Sequence, residues 1–461
     1  MRHCNTIEEL VQLAYDHLGS ISPRGIAAFW SLFVKHVRNH HGTSQYQLIE
    51  QLNTILYNTL DENMKGYSSR DIATVAICLA KIMKQVESRE HRADTGSLHR
   101  ILHNLLVGIN LEQKQFILDK VAKSSLLILS EFDARSLSNL IYSFALAEYV
   151  PTVEGGRTIM DILALEAMSK LQHFNSQDLS NMLLSYAKLE SANLLLFKAA
   201  GDKIAGMNDL SEFWPQHFSN ILWSYATAGE SHPQLFGKFA DHIVAMKDLS
   251  SFLPQALSNI IWAYATAGES YPQLYNKLAN HIVRMKDLSG FKPQALSNIL
   301  WSFATAGKSH PLLFQKLAVV AISRRNEFNS QGIANFLCAY ATVGIIDQHL
   351  FSSFAPAVKS VLSQCNSQDL ANIAWAYAVA NVNDHLIFNI DFADALHSKA
   401  NDFSSEGYSQ LHQWQLWQDE IKSGINLPLA FTRSVAKHLS PNRINRQDCK
   451  MMSYLFFHPL V

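Results

Sequence analysis

At 461 residues the chain is too long for one ordinary globular core, so it is several domains or an extended array. Hydrophobic residues make up 48% of it, ample for a packed interior, yet no apolar run reaches the length that crosses a bilayer. A net charge of −1 gives no global pull toward nucleic acid or an anionic membrane, so any polyanion must be held by a local face.

The first residues carry Glu8, Glu9 and Asp16 and no continuous apolar segment, so neither a secretory signal nor a clear organellar presequence reads from them. The five cysteines (Cys4, Cys78, Cys338, Cys365 and Cys449) are scattered without CxxC spacing. That fits a reducing compartment and neither a disulfide scaffold nor a structural zinc site.

One helical phrase then recurs along the chain. It is faint in SPRGIAAFWSLFVKHV, with Ser31 in a slot that later copies fill with tryptophan, and in SSRDIATVAICLAKI, with Ile77 there. A disturbed stretch follows. The charged run from Gln85 is linker-like, and residues 85–130 are expected to hold a kink or an extra helix. The phrase sharpens in RSLSNLIYSFALAE (Tyr142) and QDLSNMLLSYAKLE (Leu184). It becomes nearly invariant in FSNILWSYATAGE, LSNIIWAYATAGE and LSNILWSFATAGK, where Trp223, Trp262 and Trp301 stand 39 residues apart. SQGIANFLCAYATVG (Cys338) and SQDLANIAWAYAVAN (Trp375) follow at 37-residue steps, and SSEGYSQLHQWQLWQDE is a worn last copy.

A fixed period of this size marks a repeat array. Leu257, Ile260, Ile261, Tyr264 and Ala265 recur with helical spacing, which predicts an A helix. Pro215, Pro254 and Pro293 signal its start, as do the Asn-Ser-Gln triplets at 175, 329 and 366. Gly229, Gly268, Gly307 and Gly344 suit the left-handed position that ends it. A B helix is expected from Pro233, Pro272 or Pro311. Two such helices cannot bury both apolar faces alone, so the expected fold is all-α: a right-handed α-solenoid, or superhelix, of about nine two-helix repeats. Residues 1–130 read as degenerate repeats, 131–400 as the regular array, and 401–461 as a capping repeat with a basic tail (Arg433, Lys437, Arg443, Arg446 and Lys450).

Motifs of catalysis dissolve under the repeat. Gly229-Glu230-Ser231-His232 returns as Gly268-Glu269-Ser270-Tyr271 without the histidine, and Gly307-Lys308-Ser309 lacks the earlier glycine of a phosphate loop. His40-His41, His242 and His281 match no metal-ligand spacing. No catalytic group, cofactor or metal site is expected. The tryptophan slot is better read as core than as a base-stacking surface, because Leu184, Ile77 and Cys338 also fill it. The asparagine shared by seven copies, Asn139 to Asn372, reads as a structural ladder. Lys238, Lys277 and Lys316 on the B helices read as a solvated face.

The polar residue just inside each A helix is the candidate binding row: Arg24, Arg70, Arg135, Gln177, Gln216, Gln255, Gln294, Gln331 and Gln368. One donor per repeat near a helix N-terminus suits a phosphate chain, although glutamine and arginine are also ordinary first-turn residues. The residue after it varies (Ser136, Asp178, His217, Ala256, Gly332, Asp369), which makes it a candidate base discriminator.

The phrase L-S-N-I-L-W-S-Y-A-T-A-G at this period resembles the octotricopeptide-type repeat. It is similar also to the helical repeats of the Fas-activated serine/threonine kinase-like organellar proteins. The resemblance covers residues 130–400 well. It implies an array that binds single-stranded RNA, alongside other RNA-processing proteins, in the mitochondrial matrix or plastids, with the cytoplasm as the alternative since no clear presequence reads from the chain. SQLHQWQLWQDEIKSGINLPLAF resembles the segment that precedes a RAP domain, but the chain ends at Val461, too soon for one. The expected function is RNA binding, with a protein-interaction scaffold as the alternative, which the near-neutral charge favours.

Overall fold

The computed structural model describes residues 4, 6–37, 46–60, 64–90 and 111–421. The charged run beyond residue 90, His40-His41, Cys449 and the basic tail lie outside the described residues. Twenty α-helices and no strand occur among them, apart from one isolated bridge between Thr152 and Thr158. The chain divides into two compact units, Met1–His232 and Pro233–Val461.

The first unit contains α1 (Ile7–Asp16), α2 (Pro23–Val37), α3 (Tyr46–Thr59), α4 (Ser69–Glu90), α5 (Leu111–Leu127), α6 (Ala134–Leu146), α7 (Ile159–Ser169), α8 (Ser176–Lys188), α9 (Leu194–Ala205) and α10 (Pro215–Ala228). The second contains α11 (Pro233–Ala245), α12 (Pro254–Thr266), α13 (Pro272–Arg284), α14 (Pro293–Thr305), α15 (Pro311–Ser323), α16 (Ser330–Val343), α17 (Gln348–Val361), α18 (Ser367–Ala380), α19 (Ile390–Ser398) and α20 (Ser405–Glu420). Even-numbered helices are the A helices and odd-numbered ones the B helices. Within each unit successive A helices pack extensively on one another, and B helices touch more sparingly. That is the stacking of a helical solenoid, in which each repeat buries its apolar faces on its neighbours.

Local chemistry sets the helix ends. The side chains of Asn175, Asn329 and Asn366 accept from backbone N–H groups three residues on. Gly229, Gly268, Gly307 and Gly344 all have φ between 63° and 71°, the left-handed region where a Cβ is penalised. Asn381 takes the same conformation after α18 with φ 53°.

Three sets of bonds tie repeat to repeat. An A-helix tyrosine donates its hydroxyl to a main-chain carbonyl of the preceding B helix: Tyr186 to Met160, Tyr225 to Phe197, Tyr264 to Phe236, Tyr340 to Phe314 and Tyr377 to Phe351, at 2.5–2.8 Å. In four of these steps the tyrosine also meets the phenylalanine edge-on, with ring centroids 5.1–5.2 Å apart. Between α13 and α14 the residues are exchanged. Tyr275 and Phe303 keep the edge-on contact, but the Tyr275 hydroxyl is buried without a hydrogen-bond partner among the described residues.

Serines make the second set. Ser138 donates to the Asp178 carbonyl and Ser297 to that of Gly332, each in the next A helix. The expected asparagine ladder is thus shared with serine: Asn220 donates to Ser180, and Asn372 accepts from Gln410 of the next A helix.

Lysines make the third. Lys277 donates to the Met246 carbonyl and Lys316 to those of Val283 and Met285, closing off the end of the preceding B helix. Lys203 does the same for Leu171 and Gln172. The expectation of a purely solvated lysine face is thus corrected at 277 and 316.

Candidate nucleic-acid interface

An A helix is surrounded on nearly every side. In α12, Leu257, Ser258, Ile260, Ile261, Ala263, Tyr264 and Ala265 are all buried. The remaining face is one stripe with the spacing i, i+4, i+7, i+11 along the helix. In α12 it runs from exposed Gln255 through half-buried Asn259 to Trp262 and Thr266, which are both buried. The candidate row thus forms the first residue of each stripe, and the conserved asparagine and the tryptophan slot form the second and third.

The row is exposed from Arg24 through Arg70, Arg135, Gln177 and Gln216 to Gln255, and half-buried at Gln294, Gln331 and Gln368. Gln368 donates to Asn372, an intrahelical bond 2.9 Å long. The tryptophan slot sits at the lip of the core: Trp223, Trp262 and Trp375 are buried and Trp301 is half-buried. Trp375 donates its indole N–H to Gln413. Core packing is the main duty of this slot, as expected.

The variable residue after the row behaves differently from the sequence expectation. Its side chain folds back on its own helix start. The carboxylates of Asp178 and Asp369 accept from the N–H groups of Asn175 and Asn366, and His217 accepts from that of Trp214. Asp178, Asp369, Ser136 and Ala256 are buried. Burial pushes both aspartates above their ordinary carboxylate range. These residues vary because several side chains can close a helix N-terminus, and they do not form an accessible reading position.

Charge along the stripe is what sequence reading missed. In the first unit the stripes are Arg24-Ala28-Ser31-Lys35, Arg70-Thr74-Ile77-Lys81, Arg135-Asn139-Tyr142-Leu146, Gln177-Asn181-Leu184-Lys188 and Gln216-Asn220-Trp223-Thr227. They hold six cations and no carboxylate. In the second unit the α12, α14, α16, α18 and α20 stripes hold no cation and one carboxylate, Glu406. A chain of net charge −1 therefore carries a local excess of cations on the A-helix stripe of its first unit. The signal was legible as lysine at the fourth stripe position, but only once the register of four positions was known.

Acids lie at the margins of the first unit's stripe. Asp133 meets Arg70 at 3.6 Å, and Glu148 meets Lys84 at 3.5 Å. Both pairs are largely exposed, so they hold these cations only weakly. Lys188 makes no hydrogen bond or ion pair among the described residues. Burial first, and Lys84 second, lower its pKa to about 8, against the opposing pull of Glu148. This is a cation the fold leaves under-neutralised. Among the described residues no cluster of His, Cys, Asp and Glu could hold a metal ion, and no helix is long and apolar enough to cross a membrane.

Fold and site together define an α-helical repeat protein whose first unit presents a cationic stripe on its A helices. A family model, that of RNA-editing substrate-binding complex 6 protein (RESC6), matches residues 162–405, 244 of the 461. The chain belongs to that family. Among solved structures it is similar to yeast Rmd9p in complex with a 16-nucleotide target RNA, with 11% identity over 93% of this chain and 88% of that one and a TM-score of 0.36. No curated protein matches.

Proposed function

We propose that this protein binds single-stranded RNA along the A-helix stripe of its first unit, and that it serves mitochondrial RNA processing as a binder rather than an enzyme. The observation that carries this reading is the stripe of six cations and no carboxylate in a chain of net charge −1. Cations spaced by one repeat suit a regular polyanion, and the phosphates of an RNA strand supply one. Membership of a family named for RNA-editing substrate binding supports the ligand class, as does the octotricopeptide-like phrase, which also supports the organelle. In this reading Arg24, Arg70 and Arg135 take phosphates. Gln177 and Gln216 continue the row, and in the second unit Gln255, Gln294, Gln331 and Gln368 offer neutral amides to the same class of ligand.

The test is the affinity of the full chain for a mixed-sequence single-stranded RNA across a salt series, with Arg70, Lys81 and Arg135 changed together to Ala. Losing three phosphate contacts lowers the slope of log affinity against log salt by about 2. An unchanged slope and affinity would sink the reading.

A protein ligand is the second reading, favoured by one observation on the B helices. On α15, Leu312 and Val319 are exposed where α13 carries Gln273 and Asn280 and α11 carries Gln234 and Asp241. Exposed apolar side chains on a B helix suit a protein rather than RNA, and Leu195 on α9 adds another at the place equivalent to Leu312. The two readings use opposite layers and are separable. Leu312→Gln with Val319→Asn leaves RNA affinity unchanged if RNA lies on the A stripe.

A further inference from the structure

We propose that Trp214 is a stacking platform for one unpaired nucleobase of the bound strand, preorganised by His217. This inference rests on the RNA reading above and names a residue outside both the row and the stripe.

Trp214 stands at the N-cap of α10. Where the A helix starts without proline, the N-caps Asp133, Asn175, Asn329 and Asn366 each accept a backbone N–H at 2.7–2.9 Å, whereas the proline-started helices have Leu253 and Lys292 there, without a side-chain cap bond. Trp214 makes no such bond, and 71% of its surface is exposed. The position therefore forgoes a capping bond and leaves the largest apolar side chain in water. The missing cap goes with the proline start, but packing gains nothing from an indole left in water. A residue that breaks local rules without a folding benefit marks function.

The indole is nonetheless not loose. The Trp214 backbone N–H donates to His217 Nδ1 at 3.2 Å, and the imidazole is also hydrogen-bonded to the Glu212 carbonyl. That carbonyl in turn accepts from the Ser176 hydroxyl of the preceding repeat at 2.7 Å. With Nδ1 accepting, the imidazole is a neutral ring fixed from both nitrogens, and burial disfavours its protonation. It lies nearly parallel to the indole, at 23° with centroids 6.3 Å apart, and Phe213 meets its edge. One indole face is thus backed by a rigid ring, and the other is open to solvent.

Location supplies the occupant. Trp214 directly precedes Pro215 and Gln216, so it sits at the row end of the α10 stripe, in the unit that carries the six cations. A ligand drawn by those cations brings negative charge, and a nucleic-acid strand also brings flat π-faces to stack. Leu253 occupies the sister place in the second unit and is equally exposed, but it has no π-face.

The experiment uses the full chain, Trp214→Ala, Trp214→Phe and the Arg70/Lys81/Arg135 triple variant. The probes are a fluorescein-labelled mixed-sequence RNA strand and an abasic strand of the same length. The proposal expects Trp214→Ala to weaken binding of the RNA roughly ten-fold, with Trp214→Phe within about two-fold and the salt slope unchanged. It expects both variants to bind the abasic strand like the parent. Weak RNA binding by the triple variant together with parent-like binding by Trp214→Ala would overturn the platform and leave the cationic stripe standing. The indole would then serve another ligand, such as a protein. Parent-like binding by all three would overturn both. A loss on Trp214→Ala that appears equally with the abasic strand would also overturn the platform, because no base would be involved. Trp214 is exposed, so circular dichroism is expected to show the variants folded like the parent.

Discussion

Lys188 shows how a single residue here sets stability against binding. Its ammonium lies at the end of the α8 stripe, partly withdrawn from water and near Lys84, which holds its pKa at about 8 rather than the ordinary 10.5. The sign follows from linkage. Between these two values the unfolded chain binds more protons than the folded one, so stability rises as pH climbs from about 8 toward 10.5. Below 8 the folded state carries the full cost of the poorly solvated cation. Lys188→Met is therefore expected to raise the urea midpoint at pH 7, with the gain shrinking by pH 10, while lowering affinity for single-stranded RNA. A midpoint that falls at pH 7 would refute the argument. Residue choices such as this were only half legible in the sequence. Gln177 was found as a first-turn donor, but Lys188 needed the helix register. Asp178 was misread as a possible reading position because its return to the Asn175 N–H is invisible without coordinates.

At the scale of helices, the joints between repeats are made by few groups, each with a definite partner. Tyr264 donates to the Phe236 carbonyl from a fully buried position, so Tyr264→Phe removes this inter-helix bond and is expected to cost about 1 kcal/mol. Tyr275 is the opposite case, a buried hydroxyl with no partner among the described residues, and Tyr275→Phe is expected to stabilise by about 1 kcal/mol. Chemical denaturation of the two variants checks the pair, and equal signs would show that the contrast is wrong. Helix boundaries were the most legible feature of the sequence. The prolines, Asn-Ser-Gln triplets and glycines act through local backbone geometry, which depends on neighbours in sequence. The tyrosine and serine joints were not legible, because their partners are main-chain carbonyls in another repeat and carry no residue signature. The asparagines stood out when the copies were set in register, while the bonds are divided between them and the serine beside them.

For the molecule as a whole, the period specified the architecture before any coordinates, since a helix pair with two apolar faces must stack. Function was less legible because net charge averages over faces. The balance of 38 basic against 39 acidic residues argued against a polyanion ligand. The stripe reverses that argument locally. Counter-ions respond to charges within about a Debye length, roughly 8 Å at physiological salt, and not to the sum over the chain. A salt slope counts the phosphates held along a whole face, so it reads the stripe as a unit and not one cation at a time.

The lysine caps have a consequence for reactivity. An amine held against main-chain carbonyls and half-buried is poorly placed to reach an acylating reagent. Lys277 and Lys316 are half-buried and so engaged, whereas Lys247 and Lys286, on the loops that follow α11 and α13, are exposed. Brief treatment of the native chain with a succinimidyl ester, read by peptide mass spectrometry, is expected to label the exposed pair well before the capping pair. Denaturation should equalise them. Acyl groups on Lys277 or Lys316 in the native protein would contradict these caps, and in a partly unfolded sample they would mark which joint had opened first.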